Sequence, residues 1–165
     1  LDAIKLLPDD IVKKWKFMFI GPSTEAFIQT VKNFKERYPE KADSIIMTGN
    51  ITDRTQLYTY CRRAKIICMT SRTEGACIAT LESMFFGAYP IITNYSDFAL
   101  DTTNWGNCGR IVENGNSDKL SAELYNAMVD NDLLSKCIIS QNYARKMFDY
   151  NELSKKLVEM LENIN

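Results

Sequence analysis

The sequence predicts an α/β fold: a doubly wound parallel sheet with flanking helices, ending in C-terminal helices. Three observations carry that prediction. First, from Trp15 to Thr93 short β-prone runs alternate with segments of helical period, in the order β-α-β-α-β-α-β. Second, Lys65–Thr93, KIICMTSRTEGACIATLESMFFGAYPIIT, fits strand, turn, helix and strand into about thirty residues, the length of a βαβ unit. A crossover of that kind is right-handed in nearly all cases and lays its two strands parallel. Third, 165 residues with 45% apolar and 25% charged side chains are enough for one domain, 1–165, with a buried core.

Each element follows from local signals. Leu1–Leu7 reads as the tail of a helix. Trp15–Ile20, WKFMFI, is a strand that Gly21-Pro22-Ser23 stops. Ser23 is expected to cap the next helix, whose apolar face carries Phe27, Val31 and Phe34. Tyr38-Pro39 ends it, because a residue before proline leaves the α region. Ser44–Thr48 is the second strand, and Gly49-Asn50 its turn. Thr52 or Asp53 caps a short helix that turns Leu57, Tyr60 and Cys61 inward. The central unit then gives a strand over Lys65–Met69, a polar turn over Thr70–Gly75, a helix within Ala76–Ala88 and a strand after Pro90. Tyr95–Asn107 reads as loop or short irregular elements, and Gly109–Gly115 as a brief strand and turn. Ser117 or Asp118 caps a helix over Lys119–Val129. Two more helices run near Asp132–Phe148 and Glu152–Ile164, the last with an apolar stripe of Leu153, Leu157, Met160 and Leu161.

Composition removes several function classes. The net charge of −1 argues against nucleic acid as a partner, and the basic runs Lys13–Lys16, Lys32–Arg37 and Arg62–Lys65 fall where helices meet water. The absence of histidine removes Ser-His-Asp and Cys-His nucleophiles, H-E-x-x-H zinc sites and any imidazole base. Cys61, Cys68, Cys77, Cys108 and Cys137 contain no C-x-x-C, which suits free thiols in a reducing, cytoplasmic setting. No apolar run approaches the ~20 residues of a membrane span, so contact with the inner face of a membrane is expected to be peripheral at most. A chain that opens Leu-Asp-Ala-Ile-Lys shows neither a signal peptide nor an initiator methionine, and is expected to be a piece of a longer polypeptide.

Two glutamates mark the central unit as more than scaffold. Glu74 lies at the turn where the strand ends, and Glu82 lies two turns into the helix among Ile78, Ala79, Phe85 and Phe86. A helix apolar on nearly all sides is expected to be buried, and a carboxylate there needs a partner or a cleft. The partner reading is a structural cation or a backbone amide. The cleft reading draws on position, because open parallel sheets bind ligands beyond the carboxyl ends of their strands. The amides of Gly75, Ala76 and Cys77 would attract an anion at the helix start.

Glu74-Gly75-Ala76-Cys77-Ile78-Ala79-Thr80-Leu81-Glu82, followed by Ser83-Met84-Phe85-Phe86-Gly87 and by Pro90-Ile91-Ile92, resembles the E-x7-E signature of the family-4 glycosyltransferases of GT-B fold. Gly109–Gly115 is similar to that family's G-x-L-V-x-x-G, and weaker likeness runs over most of the chain. The resemblance implies a Rossmann-like half of a GT-B enzyme, namely the C-terminal domain that binds a nucleoside-diphosphate sugar. The parent enzyme would pass a hexose-type sugar to a saccharide or lipid-linked acceptor in polysaccharide or glycolipid biosynthesis, with retention of configuration and without a metal cofactor. Glu74 would meet the sugar hydroxyls and act as the catalytic-site carboxylate. Gly75, Ala76, Cys77 and Ile78 would offer amides to sugar and phosphate oxygens, and Glu82 would accept from the ribose. Gly49 and Ile51 would touch the nucleotide base, or they form an ordinary βα turn.

Other residues have plainer readings. Arg72 is a candidate phosphate ligand or a surface arginine. Asp130-Asn131-Asp132 matches a metal-binding D-x-D but sits between two helices, where such residues cap. The family also grips diphosphate with an Arg and a Lys in a G-R-x4-K stretch, and no R-x4-K occurs in this sequence. That segment and the acceptor-binding N-terminal domain are expected to lie outside this chain, whose isolated activity is expected to be nil. The rival class is a non-catalytic module, GT-B-like or flavodoxin-like, that has lost its ligand. A GT-B-fold epimerase fits less well, since such enzymes lack this motif.

Overall fold

The computed structural model describes residues 1–162, and among these every paired strand runs parallel to its neighbour. In chain order the elements are α1 (Asp2–Leu6), α2 (Asp9–Val12), β1 (Phe17–Ile20), α3 (Glu25–Arg37), α4 (Pro39–Ala42) and β2 (Ile45–Gly49). Next come α5 (Arg54–Arg63), β3 (Ile66–Met69), α6 (Ile78–Phe85), β4 (Tyr89–Thr93), α7 (Phe98–Thr102) and β5 (Arg110–Val112). Three longer helices follow, α8 (Ser117–Val129), α9 (Leu133–Met147) and α10 (Tyr150–Glu162). The predicted α/β class is therefore observed, with its strands in two ladders, β1-β2 and β3-β4-β5. The chain forms two compact units: Leu1–Thr59 with Gly115–Asp130, and Tyr60–Asn114 with the described residues from Asn131 onward.

The first unit is built on the β1-β2 pair, in register from Phe17 opposite Ile45. Ile4, Val31, Phe34 and Ile45 form its core, with Phe17, Phe19, Phe27, Tyr38 and Met47 packed around them. The Phe27-Val31-Phe34 stripe thus faces inward as its spacing predicts. Thr24, not Ser23, caps α3: its Oγ1 accepts from the Phe27 amide at 3.2 Å. Likewise Asn116, not Ser117 or Asp118, caps α8, its Oδ1 accepting from the Lys119 amide at 2.9 Å. Lys41 is buried, yet its ammonium is satisfied by Asp9, 2.7 Å away, and by the Leu7 carbonyl. Ser44 donates to the Val12 carbonyl at 2.9 Å, so α4 and the start of β2 tie off the ends of α1 and α2.

The second unit centres on β4, whose five residues YPIIT are all buried. β3 pairs along it from Ile66 opposite Tyr89 to Met69 opposite Ile92, and β5 from Ile91 opposite Arg110 to Thr93 opposite Val112. Pro90 lies one residue ahead of the β5 pairing, where a missing N–H costs least. Gly109 packs so closely there that a Cβ would stand 2.6 Å from Pro90 Cγ and 2.8 Å from its carbonyl oxygen.

Helix α6 departs from expectation. It is not buried on all sides. Thr80, Ser83 and Met84 face inward, while Ile78 is 70% exposed and Ala79 is exposed as well. The inward hydroxyls are satisfied within the helix, Thr80 on the Cys77 sulfur and Ser83 on the Ala79 carbonyl, and α9 bonds the backbone where α6 ends. Gln141 donates to the Phe85 carbonyl at 2.8 Å and Ser140 to the Ala88 carbonyl at 3.2 Å. α6 closes with the Gly87 amide on the Met84 carbonyl and the Ala88 amide on the Ser83 carbonyl, Gly87 having φ +95°. Tyr95–Asn107 contains α7, ended by Asn104 and Trp105, both left-handed; their amides reach the Asp101 and Leu100 carbonyls. On α10, Leu153 and Met160 are exposed. Leu157 and Leu161 of the expected stripe lie outside the described side chains, and Ile164 lies outside the described residues. No helix among the described residues is long and apolar enough to cross a membrane.

Candidate functional site

β3 ends at Met69, and its chain turns through Thr70–Cys77 into α6. That loop is short and polar, so its backbone groups need partners from elsewhere. They come from the ends of the neighbouring strands. Thr93, the last residue of β4, donates its hydroxyl to the Ser71 carbonyl at 2.5 Å and faces the Met69 carbonyl at 3.4 Å. Asn114, just past β5, donates to the same Ser71 carbonyl at 3.4 Å. The carboxyl ends of all three parallel strands therefore meet at Ser71. Farther along, Ser96 donates to the Gly75 carbonyl at 3.4 Å.

Ser71 passes this anchorage to Glu74. Its hydroxyl donates to Glu74 Oε1 at 2.7 Å, and the carboxylate is half-buried beside it. The second Glu74 oxygen carries further acceptor capacity, since a carboxylate offers about four lone-pair sites. Gly75 and Ala76 are exposed, whereas Cys77 is buried at the head of α6. Cys77 accepts the Thr80 amide on its carbonyl at 3.0 Å and the Thr80 hydroxyl on its sulfur at 3.2 Å, which fixes the first turn of α6. The loop thus brings Glu74, Gly75, Ala76, Cys77 and Ile78 into one continuous segment at the strand ends.

Electrostatics locate the neighbours of both glutamates. Burial pushes the Tyr95 phenol above its ordinary value, the Thr102 hydroxyl holds it back, and charge on Cys77 and Glu74 adds to the rise. Burial likewise pushes up the Cys61 thiol; the Ser83 hydroxyl opposes this, and the Glu82 carboxylate adds to it. Glu82, half-buried on α6, therefore carries its charge to the side where α5 supplies Cys61.

The remaining candidates lie elsewhere. Gly49 ends β2 in the first unit with φ +69° and accepts the Gly21 amide at 2.9 Å; Ile51 is half-buried after it. Arg72 is exposed. Asp130 closes α8, and Asp132 stands at the N-cap position of α9 without a side-chain cap hydrogen bond. Sequence reasoning missed Thr93, Tyr95, Ser96 and Asn114. Thr93 and Asn114 had a usable signal, since each is a polar residue at the carboxyl end of an apolar β run, where such sheets bind ligands.

The sequence matches the family model described as glycosyl transferases group 1 over residues 1–147. Among solved structures, the chain is similar to Anabaena HepE in complex with UDP, with TM-score 0.77 and 17% identity over 98% of this chain and 43% of that one. It is also similar to WaaG, a glycosyltransferase involved in lipopolysaccharide biosynthesis, with TM-score 0.77 and 16% identity over 96% of this chain and 41% of that one. The C-terminal domain of a glycosyl transferase group 1 family protein, LpcC, from Francisella tularensis matches with TM-score 0.74 and 21% identity over 90% of this chain and 77% of that one. The chain thus spans less than half the length of HepE and WaaG. No curated protein matches the sequence.

Proposed function

The chain belongs to the group 1 glycosyl transferases, and from that premise we propose that it is the C-terminal, donor-binding half of a retaining hexosyltransferase. One observation carries the proposal: Glu74 stands half-buried where three parallel strand ends converge, with one oxygen held by Ser71 at 2.7 Å. That is where an open parallel sheet receives its ligand. Glu74 accepts hydrogen bonds from sugar hydroxyls. The amides of Gly75, Ala76, Cys77 and Ile78 meet sugar and phosphate oxygens at the positive end of α6. Glu82 accepts from the ribose.

Leaving-group stabilisation at this half is electrostatic and comes from oriented amides rather than from a metal ion. The saccharide or lipid-linked acceptor is held by another part of the parent enzyme, so this chain alone binds donor without transferring sugar. Calorimetric titration of the 165-residue chain with UDP, GDP, ADP and dTDP, and with their glucose esters, tests the reading. One diphosphate should bind saturably, in competition with its own sugar ester. Affinity in EDTA and in excess magnesium should agree within about threefold, the mark of a site without a metal bridge. Failure of every ligand to bind overturns the proposal in favour of a non-catalytic module.

A further inference from the structure

Thr93 belongs to no motif that identifies the site, yet the loop carrying Glu74 hangs from it. Its side chain is buried, with the residue only 2% exposed. A threonine hydroxyl has one proton to donate. Two carbonyls lie within reach, Ser71 at 2.5 Å and Met69 at 3.4 Å, and the shorter contact takes the proton. The Ser71 carbonyl is also the target of Asn114, but at 3.4 Å that contact is weak. Ser71 in turn spends its own hydroxyl on Glu74 Oε1 at 2.7 Å. The path from Thr93 Oγ1 to the Glu74 carboxylate therefore crosses one residue and two short hydrogen bonds.

We propose that Thr93, at the carboxyl end of β4, is a positioning residue that fixes Glu74 toward the donor sugar through Ser71. This rests on the donor-site reading of Glu74. A carboxylate pinned on one oxygen turns its other oxygen in a defined direction, and loss of such preorganisation weakens recognition even where no contact atom is removed. The effect is confined to the sugar. The bare nucleotide does not use Glu74, so it reports only on the rest of the site.

The test compares two affinities, those of the best-binding nucleoside diphosphate and of its glucose ester, in Thr93→Val, Thr93→Ser and Ser71→Ala. Thr93→Val keeps shape and burial but removes the donor. It should weaken the sugar ester about threefold to tenfold, a fraction of the loss expected for a direct bond to a charged group, and leave the diphosphate within twofold. Thr93→Ser keeps the hydroxyl and should restore the ratio. Ser71→Ala cuts the second bond while leaving the Thr93 contact to the backbone carbonyl intact, and it should reproduce the selective loss. A merely structural Thr93 would lower the melting temperature of the valine variant without moving the ratio. An unchanged ratio in Thr93→Val overturns the inference; if that variant does not fold, an unchanged ratio in Ser71→Ala does so in its place. Failure of the unaltered chain to bind either ligand overturns the donor-site reading itself, and the inference with it.

Discussion

At the scale of single residues, the two glutamates should fail differently when altered. A hydrogen bond to a charged group is worth about 1.5–3 kcal/mol, or roughly ten- to a hundredfold in affinity. Glu74→Gln should weaken the nucleotide sugar by that factor and spare the bare diphosphate. Glu82→Gln should weaken both alike, because both carry the ribose. If Glu82 only supports the α5–α6 contact, melting will fall while the affinity of folded protein holds. Gly109 gives a separate test of packing. A Cβ there would lie 2.6 Å from the ring of buried Pro90, so Gly109→Ala should cost about 1–3 kcal/mol in urea unfolding, as overpacking does. Residue-level legibility was uneven for a physical reason. Adjacent cap-competent residues such as Ser23 and Thr24 cannot be ranked from sequence, because the cap is whichever oxygen reaches the N3 amide.

At the scale of elements, the end of α6 sets the path from Glu82 to β4. Gly87 sits at φ +95°, while a Cβ added there would meet Gln141 no closer than 3.6 Å. Substitution is thus limited by backbone conformation and not by space. Gly87→Ala should cost about 1–2 kcal/mol, the left-handed penalty for an L-residue. Gly87→Asn should cost visibly less, because asparagine tolerates that region. Equal losses in the two variants would show that contact, rather than φ, governs the site. The strands and the longer helices were legible, since period and turn residues encode them locally, but the one-turn helices α2 and α4 were not predicted, because four residues are too few to show a helical period. The buried face of α6 was not. An apolar count points to Ile78, but the buried face is the one that α9, β3 and β4 pack against. A packing partner distant in sequence leaves no mark on local periodicity.

At the scale of the whole molecule, the parallel α/β class was readable because strand–helix–strand spacing forces parallel neighbours. The division into two ladders was not, since the choice of strand neighbour depends on non-local contacts. The same global burial shapes the response to pH. The chain has no histidine, so it lacks the one side chain whose ordinary value lies between pH 5 and 8. Shifts from burial are found instead among alkaline groups. Burial raises the thiols of Cys61, Cys108 and Cys137 above 9.0, and the phenols of Tyr95 and Tyr143 above 10.0. Above pH 9 the unfolded chain then loses protons that the folded chain keeps. The unfolded state binds fewer protons, so unfolding free energy falls as pH rises. Stability from these groups is fully present below their unfolded values and is lost as pH climbs toward the folded ones. Urea midpoints should therefore be flat from pH 6 to 8 and decline from about pH 9 upward. Replacing Cys61, Cys108 and Cys137 together by alanine should shallow the early part of that decline and leave the later, tyrosine part in place. An unchanged slope between pH 9 and 10 in the triple variant would assign the loss to the two tyrosines and to Cys68, whose thiol is pushed up to about 11.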